Sequence, residues 1–290
     1  MSVLLFPGQG SQFVGMGKDS YEASDEAKKW FHQADDQLGY KLSSIMFDGT
    51  DEDLKQTKVT QPAVFLHTII RYYLYSDNVQ ASAVAGHSLG EITALVANGV
   101  LSFSDGLNLV QQRSLVMQDA CNETEGTMAA ILGLEDEKVE SICNGIDAVV
   151  VAANYNCPGQ LVISGSIAGI NKAVEVAKEQ GAKRALVLNV NGAFHSPLML
   201  PAQDTLQKTI EETTFNKATC PIYQNVNGEA TTDTELIQLN LIKQLTSPVR
   251  WTQTMKNMVA DGHKDYNEYG AKVLSGFFRR IDRSLVVNQI

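Results

Sequence analysis

Apolar residues alternate along the first part of the chain between short continuous runs and runs with helical spacing. Residues 3–6 form a short apolar strand pattern, and helical patterns follow over residues 20–38 and 61–75. Residues 81–85 read as the end of a buried strand that leads into another helix-like run. Strands that alternate with helices in this way predict a mostly parallel sheet with helices on both faces.

The order of strand and helix patterns changes from about residue 126. Strand patterns and helix patterns follow in the order Thr127–Leu132, Glu135–Cys143 (helix), Ala148–Ala153, Leu161–Ser164, Ile167–Glu179 (helix) and Ala185–Val190. That β-α-β-β-α-β order is the ferredoxin-like unit. We therefore predict an α/β protein with a ferredoxin-like small domain at residues 126–193. It is inserted into a large α/β domain formed by residues 1–125 and 194–290.

Composition narrows the class of protein. With 290 residues and 44% hydrophobic residues, the chain can bury a sizeable core, and its formal net charge of −10 argues against a nucleic-acid or anionic-membrane surface. The four cysteines are scattered, which favours reduced thiols over zinc or disulfides. No signal segment or apolar run of about 18 residues is apparent. We expect a soluble, cytoplasmic protein.

The segment Gly86-His87-Ser88-Leu89-Gly90-Glu91 is a G-x-S-x-G turn between a strand pattern and a helix pattern. Such a turn exposes a serine at a helix N-terminus, where free N–H groups and the helix dipole favour developing negative charge. The alternative is a glycine-bounded turn with a surface serine. Because the strand precedes it and the helix follows it, the pattern favours Ser88 as a nucleophile.

A serine nucleophile needs a base, and five histidines are available. His195 follows the last strand pattern and directly precedes Ser196-Pro197, a good helix-start pair. It is therefore expected in a loop at the carboxyl end of a strand, where α/β sheets build their sites. We favour His195 as the base over a structural role. His87 adjoins Ser88, but neighbours on a sharp turn point apart, so a packing role is expected for it.

Arg113 lies on the apolar face of a predicted helix over residues 104–120. An arginine directed into a core costs several kcal/mol unless it is paired and hydrogen-bonded. A buried ion pair or a side chain that reaches back to water would explain it. A bidentate clamp for a substrate carboxylate would explain it equally well. The residues alone leave these alternatives open.

Several motifs occur together along the chain. They are Pro7-Gly8-Gln9-Gly10-Ser11-Gln12, Thr60-Gln61-Pro62-Ala63, Gly86-His87-Ser88-Leu89-Gly90-Glu91, Gln112-Arg113, Asn156-Cys157-Pro158-Gly159-Gln160, Ala193-Phe194-His195-Ser196 and Ser247-Pro248-Val249-Arg250-Trp251. In this set the chain resembles, over nearly its whole length, the malonyl-CoA:acyl-carrier-protein transacylases of type II fatty acid synthesis and the related acyltransferase domains of polyketide synthases. The resemblance implies an α/β-hydrolase-like large domain with a ferredoxin-like small domain.

The resemblance also implies a two-step, ping-pong acyl transfer. Ser88 would attack the malonyl thioester while His195 takes its proton and returns it to the CoA thiol. Backbone N–H groups of Gln9 and Leu89 would form the oxyanion hole. Arg113 would hold the malonyl carboxylate, and the phosphopantetheine thiol of acyl carrier protein would then collect the acyl group.

Further expectations come from the same resemblance. The backbone carbonyl of Arg250 would orient the histidine in place of an acidic residue. Malonyl-CoA and acyl carrier protein would be the partners of a monomer, with neither nucleic acid nor membrane involved. No metal or resident cofactor is expected, since the substrates carry the phosphopantetheine. The turn at Glu268–Lys272 departs from the family pattern, which leaves its loop shape open.

Lys183 and Arg184 are a local basic patch that could dock the carrier, although ordinary solvated charge explains them as well. Two other functions compete with acyl transfer. A serine esterase or thioesterase on the same turn predicts an acidic partner for the histidine and no need for Arg113. A non-catalytic carrier-binding scaffold should have lost Ser88, His195 or Arg113, and all three are present.

Overall fold

The computed structural model describes residues 1–76, 79–190 and 192–290. The strands are β1 (Ser2–Phe6), β2 (Ala81–Gly86), β3 (Gly126–Leu132), β4 (Val150–Cys157), β5 (Gln160–Ser166), β6 (Arg184–Val187), β7 (Ile222–Tyr223), β8 (Ala230–Thr231), β9 (Asp265–Glu268) and β10 (Val286–Gln289). The helices are α1 (Lys18–Ala23), α2 (Asp25–Leu38), α3 (Leu42–Asp48), α4 (Asp51–Lys55), α5 (Thr57–Tyr75), α6 (Leu89–Ala97), α7 (Phe103–Glu123), α8 (Asp136–Asn144), α9 (Ile167–Glu179), α10 (Leu200–Glu212), α11 (Thr234–Lys243), α12 (Trp251–Ala260) and α13 (Leu274–Ile281). A short 3₁₀ turn covers Pro197–Met199.

The larger sheet has six strands in the order β10-β9-β1-β2-β7-β8. Strands β10, β9, β1, β2 and β7 pair in parallel, and only the two-residue β8 runs antiparallel to its neighbour β7. The protein is therefore a mixed α/β structure with a mostly parallel sheet, as the alternating pattern predicts. Helix α6 follows β2 directly, so the turn between them lies at the carboxyl end of a central strand.

The second sheet has four strands in the order β4-β5-β3-β6, and all of its pairs are antiparallel. Helices α8 and α9 connect its strands along the chain. An isolated parallel bridge joins Asn154 to Val249, and the Tyr155 N–H donates to the Val249 carbonyl at 2.9 Å. The small sheet is thus hydrogen-bonded to the segment that precedes α12.

The buried apolar side chains of the described residues form three clusters. The largest contains much of α5 and α7, one cluster lies between the small sheet and its two helices, and one lies beside β1 and β2 around Trp251. No helix in the part of the chain that the structure describes is both long and apolar enough to cross a membrane.

Three glycines let two loops of the larger sheet touch backbone to backbone. A Cβ at Gly90 would lie 2.0 Å from the Phe6 carbonyl oxygen, and one at Gly86 would lie 1.9 Å from the Gly90 carbonyl carbon. A Cβ at Gly8 would lie 2.3 Å from the His87 carbonyl oxygen. Side chains cannot fit at these positions. The loop after β1 is therefore held directly against the turn after β2.

Two local differences from the sequence pattern have clear physical reasons. The single helical pattern over residues 20–38 is divided at Ser24, whose backbone is extended and whose hydroxyl accepts from the Ala27 N–H to start α2. The turn after Glu268 is also well defined. The buried Glu268 carboxylate accepts from the N–H groups of Val273, Leu274 and Ser275 at 2.7, 2.7 and 2.9 Å. It therefore caps the start of α13 from inside the protein.

Candidate active site

Ser88 occupies the turn between β2 and α6 in a backbone conformation that residues other than glycine rarely adopt. Its φ is 53° and its ψ is −108°, so the residue lies outside the ordinary helical and extended regions. Strained backbone of this kind persists only where surrounding contacts hold it, and it clusters at functional sites. The turn directs the Ser88 side chain toward both His195 and Arg113.

Asn225 supplies the contacts that hold this turn. Its side-chain Oδ1 accepts from the Ser88 N–H at 2.6 Å, and its Nδ2 donates to the Gly86 carbonyl at 2.7 Å. The Asn225 N–H in turn donates to the buried Glu91 carboxylate at 2.8 Å. Sequence reasoning missed Asn225, because it follows a two-residue strand and belongs to no recognisable catalytic pattern.

His195 lies against Ser88 with its two ring nitrogens in different roles. Nε2 is 2.8 Å from the Ser88 Oγ, while Nδ1 is 2.9 Å from the Gln244 carbonyl and 3.1 Å from the Ser247 carbonyl. Because carbonyl oxygens only accept, Nδ1 carries the proton and Nε2 is free to accept from the Ser88 hydroxyl. The residue has a positive φ of 58°, a second strained position at the same site.

The expectation that the Arg250 carbonyl orients the histidine is wrong. That carbonyl accepts from the Thr254 N–H at 2.9 Å, as the first bond of α12. Among the described residues, the hydrogen-bond partners of the His195 Nδ1 are other carbonyls. The two carbonyls that face Nδ1 lie just beyond α11, at Gln244 and Ser247.

Burial, and after it the nearby positive charge of Arg113, lower the pKa of His195 to about 3. The imidazole is therefore neutral at neutral pH, which is the form that can accept a proton. Two carbonyls rather than a carboxylate face its N–H, so no ionic partner offsets the cost of charging the ring.

Arg113 is 1% exposed and points to the same serine. Its Nη2 donates to the Ser88 Oγ at 2.9 Å and to the Gln244 Oε1 at 3.1 Å, and its Nη1 donates to the Gln61 Oε1 at 2.7 Å. Burial lowers the pKa of Arg113 to about 10, so the group stays charged at neutral pH. A side chain that reaches back to water is excluded. Within residues 1–76, 79–190 and 192–290, no carboxylate forms an ion pair with it.

The loop after β1 brings Gln9 beside the serine turn, since Gly8 lies against the His87 carbonyl. In the described part of the chain, the backbone N–H groups of Gln9 and Leu89 donate to no other protein group. Leu89 is the first residue of α6, so its N–H has no acceptor inside the helix. Both N–H groups are therefore available to a ligand.

The remaining residues singled out from the sequence lie outside this constellation. His87 bonds the Asn156 Oδ1 at 2.8 Å and packs against Trp251, which is a packing role. Lys183 and Arg184 are exposed at the beginning of β6. Across the three described ranges, no group of three or more His, Cys, Asp or Glu side chains is arranged to hold a metal ion.

A partly exposed serine on a strand-to-helix turn, hydrogen-bonded to a buried histidine and to a buried, charged arginine, defines an acyl-group-handling enzyme. Residues 3–268 match the family model described as the acyl transferase domain, and the chain belongs to that family. The chain is 43% identical over 286 residues to the malonyl CoA-acyl carrier protein transacylase of Bacillus subtilis. The alignment covers 97% of this chain and 90% of the relative.

Solved structures agree with this assignment. An acyl carrier protein S-malonyltransferase from Vibrio cholerae superposes with a TM-score of 0.95 at 41% identity, covering 99% of this chain and 96% of that one. A malonyl-transacylase in complex with a type II PKS acyl-carrier protein, PlMCAT:AntF, superposes with a TM-score of 0.95 at 36% identity, covering 99% and 95%. The protein is thus an acyltransferase with the fold of the malonyl transacylases.

Proposed function

We propose that this enzyme transfers a malonyl group from malonyl-CoA to the phosphopantetheine thiol of acyl carrier protein in fatty acid biosynthesis, through a malonyl ester on Ser88. The observation that carries the proposal is the hydrogen-bonded series of Arg113, Ser88 and His195, with distances of 2.9 and 2.8 Å. In a malonyl thioester a single methylene separates the carboxylate from the thioester carbonyl. A buried cation that touches the nucleophile suits such a short, charged acyl group.

In the first half-reaction, the Ser88 Oγ forms a bond to the thioester carbon while its proton passes to the His195 Nε2. The carbon–sulfur bond then breaks, and His195 returns the proton to the CoA sulfur. The carbonyls of Gln244 and Ser247 hold the imidazole in the required tautomer. In the second half-reaction the carrier's thiol gives its proton to the His195 Nε2 and its sulfur bonds to the carbonyl carbon of the serine ester. The bond between that carbon and the Ser88 Oγ then breaks, His195 returns the proton to the Ser88 Oγ, and the malonyl group leaves as a thioester on the carrier.

Negative charge develops on the thioester oxygen in both half-reactions. We assign the N–H groups of Gln9 and Leu89 as its hydrogen-bond donors, a role supported by their free N–H groups and by the helix start at Leu89. One such donor typically contributes about 2.7–4 kcal/mol to lowering the barrier. Arg113 binds the malonyl carboxylate. Its Nε has no hydrogen-bond partner among the described residues, so spare donor capacity supports this role.

The proposal includes the finer architecture and the setting of the enzyme. The antiparallel order β4-β5-β3-β6 with two connecting helices supports a ferredoxin-like small domain at residues 126–193, inserted into an α/β-hydrolase-like domain at residues 1–125 and 194–290. Lys183 and Arg184 are a carrier-docking patch in this proposal, since both are exposed. A monomeric, cytoplasmic enzyme without a resident cofactor stays a prediction.

The test is the covalent intermediate. Malonyl-CoA alone should add one malonyl group to the intact protein, and peptide mapping should place it on Ser88. Adding holo acyl carrier protein should discharge the adduct onto the carrier. Ser88→Ala should form no adduct. Rapid hydrolysis of malonyl-CoA without any adduct would instead indicate a thioesterase.

A further inference from the structure

Two buried glutamine side chains hold the guanidinium of Arg113. Gln61 and Gln244 are 0% and 1% exposed, and their Oε1 atoms accept from Nη1 and Nη2 at 2.7 and 3.1 Å. We propose that Gln61 and Gln244 determine the specificity for carboxylated acyl groups, because they aim Arg113 without neutralising it. This inference rests on the proposed function, and it concerns residues other than the clamp itself.

The orientation of each amide is fixed by what lies at its other end. The Gln61 Nε2 donates to the Met117 sulfur at 3.3 Å, and the Gln244 Nε2 donates to the Ser88 carbonyl at 3.1 Å. Both of those groups are acceptors, so each amide must turn its nitrogen toward them and its oxygen toward the arginine. The two amide oxygens therefore accept from different nitrogens of the guanidinium, and together they restrict its rotation.

The amide groups of Gln61 and Gln244 carry no net charge, which affects how Arg113 binds a substrate carboxylate. A buried arginine usually bonds a carboxylate of its own protein, and its charge is then already compensated. The acid whose charge acts on Arg113 is Glu91. The Glu91 carboxylate accepts instead from the Asn225 N–H at 2.8 Å and the Gln224 Nε2 at 3.2 Å. An arriving carboxylate is thus the direct ionic partner that the guanidinium receives.

Gln61→Glu tests this idea, because it changes charge with almost no change in shape. The new carboxylate would lie where the amide oxygen now accepts and would form an internal ion pair with Arg113. We expect the KM for malonyl-CoA to rise roughly 10- to 100-fold, from the loss of a charged hydrogen bond to the substrate. Labelling of Ser88 by a neutral alkyl fluorophosphonate, which carries no carboxylate, should fall far less.

Gln61→Met separates charge from positioning. It removes the acceptor but adds no charge, so the KM should rise less than in Gln61→Glu. A purely structural role predicts the opposite order, since glutamate keeps the acceptor and methionine does not. Gln118→Glu adds the same charge at a half-exposed position of α7 and is the control. Its KM should equal that of the wild type.

Unfolding midpoints of all variants identify loss of folding, and Gln244→Glu repeats the charge test on the other amide if Gln61→Glu does not fold. A KM for Gln61→Glu at or below that of Gln61→Met would overturn the inference while leaving malonyl transfer intact. A wild-type protein that forms no malonyl adduct would instead refute the proposed function itself.

Discussion

Asn225→Leu should damage both the stability of the protein and the reactivity of Ser88. The leucine has a similar volume but removes the bonds of 2.6 Å from the Ser88 N–H and 2.7 Å to the Gly86 carbonyl. Each buried group left without a partner costs about 1–3 kcal/mol, so the loss of unfolding free energy should be about 2–6 kcal/mol. The turn would also lose the contacts that hold its strained φ of 53°.

Urea unfolding measures the stability of Asn225→Leu, and rapid-quench mass spectrometry measures the rate at which malonyl-CoA acylates Ser88. Because a displacement on the order of 1 Å can lower a rate about 10²-fold, we expect a loss of that size. Asn227→Leu is the matched control, since the hydrogen bonds of that side chain in the described part of the chain are exposed bonds to Glu229. A folded Asn225→Leu protein with wild-type acylation would show that the strained turn needs no such support.

Three further perturbations have expected outcomes. Arg113→Ala should abolish malonyl transfer while acetyl transfer persists or rises, and equal loss of both in a transfer assay would make Arg113 structural. Burial lowers the pKa values of His195 and His67 to about 3 and about 4, below their ordinary 6.5, so protonation favours the unfolded chain. Stability should therefore be full above pH 6.5 and fall toward pH 4, and thermal melts across that range that show no change would contradict this. Glu268→Ala leaves three N–H groups without their acceptor and should cost about 1–3 kcal/mol in a urea titration for each N–H group that water does not reach, whereas an unchanged midpoint would show that water replaces the carboxylate.

The elements with strong periodic patterns were predictable, and the contacts between distant segments were not. The pattern over Ile167–Glu179 gives the observed bounds of α9, and the turn pattern, with a strand before it and a helix after it, identifies Ser88 as the candidate nucleophile. The carbonyl that faces His195 was predicted at Arg250 and not at Gln244 and Ser247, because every residue has a backbone carbonyl and the side-chain sequence cannot distinguish one from another. Gln244 contacts the nucleophile, the base and the arginine, but it lies between the end of α11 and the motif that begins at Ser247, and belongs to neither. Only the tertiary structure brings it there.

Gly8, Gly86 and Gly90 lie in close contact with neighbouring backbone. This contact allows the acyl preference of the enzyme to vary independently of the shape of its serine turn. The contact between the loop after β1 and the serine turn is made by main-chain atoms, whereas the Asn225 side chain holds the turn itself. In the function and the inference proposed above, acyl preference depends on the side chains of Gln61, Arg113 and Gln244. New acyl preferences can therefore arise by exchange of a few side chains on α5, α7 and the end of α11, with the reactive turn inherited unchanged. An engineer should redesign those positions and leave the glycines alone.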